Sequence, residues 1–82
     1  MDEASKVIGR VFRVYRKKRE LSQEVVSGLA GINCNLYSKI ERGEKAPTVL
    51  MLFLFADVLQ VSPHTLLSAI EEELKLSGVF SA

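Results

Sequence analysis

The apolar residues of this chain recur at helical spacing and never alternate as they would in a strand, which predicts an all-α fold. Ser22, Asn33, Thr48 and Ser62 are good helix N-caps, and Gly31 and Gly43 are good helix stops. Together these signals predict five helices, over about 4–19, 23–29, 34–42, 49–59 and 63–76. The stretch 23–42 then reads as two short helices joined by a tight glycine turn.

The first helix is predicted to be amphipathic and basic. Its apolar stripe comprises Ile8, Val11, Phe12 and Tyr15, with Val7 and Val14 on the flanks. Gly9 interrupts it at a cost of about 1 kcal/mol relative to alanine. We expect this glycine to mark a close approach of the helix to another part of the chain, most simply a helix crossing.

The fourth helix is apolar nearly all round, so it should be central or lie in a subunit interface. The fifth carries more apolar residues than a core of this size needs, which predicts a two-fold dimer completed by the tail. The predicted interface consists of Leu66, Leu67, Ile70, Leu74, Val79 and Phe80. The alternative is that this stripe closes the core of the single chain. Domain boundaries are expected at 1–76 for one domain and 77–82 for a C-terminal tail.

The 82 residues suffice for one small domain, whose core is marginal without good packing or a partner subunit. Cys34 is the single cysteine and no Cys/His cluster has metal-ligand spacing, so neither a disulfide nor a metal or other cofactor is predicted. No arrangement typical of an active site is present either, so the protein is not expected to be an enzyme. Apolar runs are too short to span a bilayer and a basic secretory start is lacking, which favours the cytoplasm.

Net charge is only +1 but is unevenly distributed. Residues 1–47 contain ten Lys or Arg against six Asp or Glu, which gives +4, whereas residues 48–82 contain one against four, which gives −3. One end of the molecule should therefore be basic and the other acidic, and the basic end is the candidate for a polyanionic partner.

Over almost its whole length the chain resembles the lambda-repressor-like, Xre-type helix-turn-helix family of DNA-binding proteins. The residues that match the family pattern are Ile8-Gly9, Phe12-Arg13, Tyr15-Arg16, Leu21-Ser22-Gln23-Glu24, Ala30-Gly31-Ile32, Ser38, Ile40-Glu41-Arg42-Gly43, Pro47, Leu52, Ala56, Leu59, Val61-Ser62 and Leu66. The resemblance implies a compact five-helix domain that binds inverted-repeat DNA as a dimer, with its third helix in the major groove. The chain departs from the pattern at Ser27, Gly28, Tyr37 and Gln60.

In such a complex the N-terminal end of the third helix reaches base edges best, so the predicted base-reading residues are Asn33, Cys34, Asn35 and Lys39. Asn35 is the first candidate because asparagine pairs bidentately with adenine. A simpler interpretation gives Asn33 only a capping role, and another leaves Asn35 and Lys39 as solvated surface. Cys34 at a helix N-terminus could be redox-sensitive, although a small side chain at a base-reading position explains it equally well.

The residues predicted to contact phosphates, by the resemblance and by charge, are Arg13, Gln23, Ser38, Arg42 and Lys45. For Gln23 the alternative is an ordinary residue of the first helical turn. Other basic residues of the first helix are expected mainly to solvate it. The resemblance also implies a structural ion pair between Arg16 and Glu41, either buried or exposed. Tyr37 is expected to direct its ring inward and to keep its hydroxyl at the rim of the core.

The sequence thus predicts a small DNA-binding transcriptional regulator, a repressor or a controller of its own promoter, with double-stranded DNA and a second copy as partners. The same fold could instead bind a protein partner, as the antitoxin of a toxin-antitoxin pair or as another interaction module.

Overall fold

The computed structural model describes residues 2–80 and contains five helices. They are α1 (Glu3–Lys18), α2 (Gln23–Ala30), α3 (Cys34–Arg42), α4 (Val49–Leu59) and α5 (Pro63–Leu76). No strand occurs within these residues. The predicted all-α, five-helix fold is confirmed, and each helix end lies within one residue of its predicted position.

Helix starts follow the predicted capping chemistry. Side-chain oxygens of Ser22, Asn33, Thr48 and Ser62 each accept a hydrogen bond from a backbone N–H in the following turn. Asp2 caps α1 in the same way, and this cap was not among those predicted from the sequence. These contacts satisfy N–H groups that lack a partner inside the helix, and they fix where each helix begins.

The core is built around three aromatic rings. Phe55 of α4 packs edge-to-face against both Phe12 of α1 and Tyr37 of α3, with ring centroids 5.3 and 5.0 Å apart. Around them lie the other buried apolar residues, Val7, Val11, Val26, Ala30, Ile40, Ala56, Leu59, Leu66, Ile70 and Leu74. Every helix contributes to this cluster, so α3 is held by the core along its inner face.

Gly9 marks the crossing of α1 over the end of α3. A Cβ atom at this position would lie 2.4 Å from the carbonyl oxygens of both Ile40 and Glu41. Gly43 is equally constrained, because it takes a left-handed backbone (φ 80°) and a Cβ there would lie 2.7 Å from the Cα of Lys6. The predicted close helix crossing is confirmed, and it locks the C-terminal end of α3 against α1.

The inner face of α1 is rotated slightly from the predicted stripe. Val7, Val11 and Phe12 are buried, whereas Ile8 and Tyr15 are half-buried. Val14 is exposed on the opposite flank. Val7 therefore belongs to the core and not to its edge.

The predicted dimer interface on α5 requires correction. Leu66, Ile70 and Leu74 are at most 6% exposed and belong to the protein's own core, so they are not available to a second copy. They form one face of the helix, and α5 packs with it against α1 and α4. Of the remaining residues of that prediction, Leu67 and Phe80 are exposed and Val79 is half-buried against the core. The tail is accordingly tied back at Val79, whose N–H donates to the Leu74 carbonyl.

Only one side of helix α4 lies in the core. Phe55, Ala56 and Leu59 are buried, but Val49, Leu50 and Phe53 are between 51% and 70% exposed. The all-round apolar pattern therefore serves two purposes, a core face and an apolar surface near the start of the helix. Within residues 2–80, no single helix is long and apolar enough to cross a membrane, and only α4 with α5, bent by 111°, reach that length and hydropathy as a pair.

Candidate nucleic-acid interface

A tight glycine turn joins α2 to α3. Gly31 adopts the left-handed conformation (φ 72°), and its N–H donates to the carbonyl of Gly28. The N–H of Ile32 then donates to the carbonyl of Ser27, which closes the end of α2. This turn directs the chain straight into α3 and sets the angle between the two helices.

Asn33 holds the start of α3. Its Oδ1 accepts hydrogen bonds from the backbone N–H groups of Asn35 and Leu36, at 2.8 and 3.3 Å. The capping role is confirmed. The side-chain oxygen is therefore committed to the helix, and only the amide NH₂ of Asn33 is left to face a partner molecule.

The first two turns of α3 present polar side chains to solvent. Asn35 and Lys39 are exposed and one turn apart, whereas Cys34 and Ser38 are half-buried. The positions i and i+4 lie on the same face of a helix. Asn35 and Lys39 thus form the outer row of the helix, as the sequence predicted, although contact with a base stays a prediction.

Arg42, at the end of the same face, is already engaged within the chain. Its Nη1 donates to the Ser38 hydroxyl at 2.7 Å, and its Nε pairs with the Glu44 carboxylate. The Arg42 guanidinium lowers the pKa of Glu44, and Glu44 raises the pKa of Arg42. Sequence reasoning missed this contact of Glu44. The Glu44 carboxylate places a negative charge beside Arg42 and next to Lys45 in the chain, both of which are predicted phosphate contacts.

The predicted ion pair between Arg16 and Glu41 is present and buried. Arg16 Nε and Nη2 donate to the two carboxylate oxygens at 2.6 and 3.0 Å, and the side chains are 11% and 3% exposed. Arg16 Nη1 also donates to the Leu21 carbonyl at 2.9 Å, just before α2. This one guanidinium therefore links α1, the α1–α2 connection and the end of α3.

Gln23, the first residue of α2, joins the same cluster. Its Nε2 donates to Glu41 Oε1 at 2.9 Å, and the side chain is half-buried. The sequence predicts a phosphate contact for Gln23 or an ordinary first-turn position, and neither includes this hydrogen bond. In the free protein its amide is instead held against the third helix, so the N-terminal end of α2 is positioned by Glu41.

Tyr37 departs from expectation at its hydroxyl. The ring points inward as predicted, but the side chain is completely buried and the hydroxyl does not reach the rim of the core. Burial raises the pKa of Tyr37 far above its ordinary value, and the neighbouring Glu41 carboxylate raises it further.

Arg13 and Lys45, the remaining predicted phosphate contacts, are both exposed. Arg13 follows Gly9 by one turn of α1, and Gly9 lies against the end of α3. Lys45 lies in the connection between α3 and α4. The structure thus anchors a polar helix face by its cap, its core side and a buried ion pair, with basic side chains on the neighbouring segments.

Comparison with known proteins bears directly on this arrangement. Residues 12–66, which include α2, the turn and α3, match the family model described as helix-turn-helix. The chain belongs to the lambda-repressor-like helix-turn-helix family. This is a family of DNA-binding transcriptional regulators and not of enzymes.

Relatives in the helix-turn-helix family share this length as well as the motif. The chain is 34% identical over 67 residues to an uncharacterised HTH-type transcriptional regulator of Sinorhizobium fredii, covering 82% of this chain and 87% of that protein. It is 32% identical over 62 residues to another from Bacillus subtilis, covering 76% and 90%.

Solved structures confirm the fold of the family. The restriction-modification controller protein of Aeromonas hydrophila superposes with a TM-score of 0.73 at 26% identity, over 76% of this chain and 94% of that one. The clp gene regulator of Corynebacterium glutamicum reaches a TM-score of 0.84 at 17% identity, over 95% and 83%. At that lower identity the likeness concerns the fold alone.

Proposed function

We propose that this protein is a sequence-specific transcriptional regulator that places the first turns of α3 in the major groove of duplex DNA. The observation that carries the proposal is the exposed row of Asn35 and Lys39 on a helix held rigidly by the Asn33 cap and the buried Glu41. Asparagine pairs bidentately with adenine, and lysine reaches guanine acceptors or a phosphate. A repressor, or a controller of its own promoter, is the regulatory type we propose, acting in the cytoplasm.

Phosphate contacts would fix the orientation of that helix. Arg13 and Lys45 are exposed and cationic, and Gln23 begins α2, where free backbone N–H groups favour an anion. Arg42 and Ser38 lie on the same face as Asn35 but are bonded to each other, and Arg42 also to Glu44. We expect a DNA phosphate to compete with the Glu44 carboxylate for Arg42.

A two-fold dimer would place two recognition helices in successive major grooves about 34 Å apart and would read an inverted repeat. With Leu66, Ile70 and Leu74 in the core, Leu67 and Phe80 are the exposed apolar residues left from the predicted interface. Sedimentation equilibrium should show a dimer that Leu67→Glu converts to monomer, whereas Leu29→Glu on α2 should leave it intact. The opposite pattern would move the interface away from α5.

Binding measurements on purified protein test the proposal. Fluorescence anisotropy with duplexes from the DNA upstream of its own gene should show tight binding that weakens steeply with salt, because each neutralised phosphate releases a counterion. Asn35→Ala should relax preference at one base pair, by about 1–3 kcal/mol. Arg13→Ala should instead weaken all duplexes alike and reduce the salt slope by about one. An Asn35→Ala variant with unchanged sequence preference would contradict the assigned role.

The second candidate function, binding of a protein partner as an antitoxin or other interaction module, is favoured by one observation. Val49, Leu50 and Phe53 expose apolar surface at the start of α4. Co-purification of one stoichiometric partner that is lost in a Phe53→Asp variant would support this function. Tight, salt-sensitive DNA binding by the purified protein alone supports the first.

A further inference from the structure

A groove lies between α1 and α5. It has a volume of about 360 Å³, and its floor consists of Val7, Val11, Val14, Tyr15 and Ala69. Gly9, on the opposite side of α1, meets the end of α3. Each residue turns a helix by about 100°, so Val11 points about 200° away from Gly9 around α1. A molecule bound in the groove would therefore leave α3 uncovered.

The groove has the length of a short helix. Its lining on α1 extends from Val7 to Lys18, which at a rise of about 1.5 Å per residue is about 16 Å, or three helical turns. Val14, within this length, is apolar and yet 51% exposed. On the other side Leu76 follows Ala69 by about two turns of α5 and is 74% exposed. The groove and its end thus leave apolar surface uncovered over a length that suits a helix.

The two walls of the groove carry opposite charges. Arg10 and Lys18 line it on the α1 side, and Glu72 and Glu73 line it on the α5 side. Within residues 2–80 neither of these glutamates forms an ion pair, and Lys18 pairs with no carboxylate. Arg10 has only an exposed contact with Glu3, at 4.0 Å. Both walls therefore offer charges to a molecule that lies between them.

We propose that this groove binds an amphipathic helix of a partner protein, with an apolar stripe on the floor, an acidic edge along α1 and a basic edge along α5. Apolar anchors at helical spacing supply the affinity of such a contact, and complementary charges at the edges supply its specificity. The exposed apolar face of α4 in a second copy does not fit, because residues 46–74 contain no lysine or arginine to meet Glu72 and Glu73. The proposed DNA binding is not required for this contact.

A titration with a synthetic peptide tests the groove. The probe is a helical peptide of about 18 residues with one apolar stripe, glutamates along one edge and lysines along the other. Amide NMR spectra of the full chain should change at Val14 and Ala69. Val14→Glu should weaken binding at least about tenfold, whereas Leu50→Glu, at a similarly exposed residue of α4, should not. No change at Val14 with about 1 mM peptide, or an equal loss in both variants, would overturn the proposal.

Changing the charge of one wall tests the complementarity. At low salt, wild type should bind the probe about three- to tenfold more tightly than a peptide with glutamates along both edges, because Glu72 and Glu73 repel the second acidic edge. The double variant Glu72→Lys with Glu73→Lys should reverse this preference. Glu71→Lys, on α5 but outside the groove, is the control and should keep the wild-type preference. An unchanged preference in the double variant would overturn the proposal.

Sedimentation equilibrium without peptide tests a second copy as the occupant. The proposal predicts that Val14→Glu leaves the oligomeric state of the wild-type protein unchanged. A dimer that is lost in Val14→Glu but kept in Leu67→Glu would assign the groove to a second copy and would overturn the proposed partner helix.

Discussion

Removal of Glu41 should destabilise the domain more than removal of any exposed charge. Glu41 accepts two hydrogen bonds from Arg16 and one from Gln23, and the ion-paired side chains are almost fully buried. Glu41→Ala leaves the Arg16 guanidinium in place with the Leu21 carbonyl but without its counter-charge. A buried charge that has lost its partner is strongly unfavourable.

Breaking such a pair typically costs about 3–5 kcal/mol. In a domain of this size each 1 kcal/mol lowers the melting temperature by about 4–8 °C, so Glu41→Ala should lower it by at least about 12 °C. Circular dichroism at 222 nm, followed during thermal and urea unfolding, measures the change.

Two control variants separate the burial of the charge from its mere presence. Glu44→Ala removes a carboxylate that is paired with arginine on the exposed surface, where solvent screens the pair, so stability should hardly change. The double variant Arg16→Met with Glu41→Leu removes both buried charges and should recover most of the loss. A melting temperature for Glu41→Ala within about 2 °C of the wild type would refute the reasoning, because it would mean less than about 1 kcal/mol.

The same pair predicts a pH dependence. Burial alone would raise the pKa of Glu41, but hydrogen bonds led by those of Arg16 outweigh it and hold the pKa below its ordinary value of 4.5. A depressed pKa means that the stabilisation is fully present above about pH 4.5 and is lost as the pH falls through the folded-state value. The difference in unfolding free energy between wild type and Glu41→Gln should therefore be constant from about pH 7 to 5 and should shrink in more acidic solution.

Two further predictions concern the helix crossing and the phosphate-binding face. Gly9→Ala should destabilise the protein by about 1–3 kcal/mol, because the added Cβ would lie 2.4 Å from two carbonyl oxygens. Gly28→Ala has open space around its Cβ and should stabilise the protein by up to about 1 kcal/mol. Thermal unfolding measures both changes, and equal effects of the two substitutions would contradict the account. Glu44→Gln should free Arg42 and tighten DNA binding in anisotropy titrations at low salt, with a salt slope steeper by about one. Glu71→Gln on α5 is the control and should change neither the affinity nor the slope. Weaker binding by the Glu44→Gln variant would show that Glu44 is needed to orient Arg42.

Much of the fold follows from local signals in the sequence. The N-caps of four helices are those predicted, Ser22, Asn33, Thr48 and Ser62. A short polar side chain just before an apolar helical run can accept a hydrogen bond from a backbone N–H of the first turn. Gly31 and Gly43 both occupy left-handed positions at helix ends. Such features depend on neighbouring residues alone, so a single sequence reveals them.

Contacts between residues far apart in the chain were harder to predict from the sequence. Helical spacing identified Leu66, Ile70 and Leu74 as one apolar face, but spacing cannot tell whether that face meets the chain's own α1 and α4 or a second copy.

The candidate site could be predicted only in part, because some of its contacts are local in sequence and others are not. The Asn33 cap and the pairing of Arg16 with Glu41 were expected, and the exposed row of Asn35 and Lys39 follows from helical geometry. The engagement of Arg42 by Glu44 was not, because it depends on how the chain turns after α3. Side-chain partners across such a turn leave no periodic signal in the sequence.

Selection of bound sites from random duplex DNA by the purified protein tests the central claim most directly. The account predicts enrichment of an inverted repeat whose half-site centres lie about 10 base pairs, or 34 Å, apart, with one preferred base pair per half-site lost in Asn35→Ala. Recovery of unenriched, random sequence at every salt concentration would contradict the claim that this helix-turn-helix protein reads DNA.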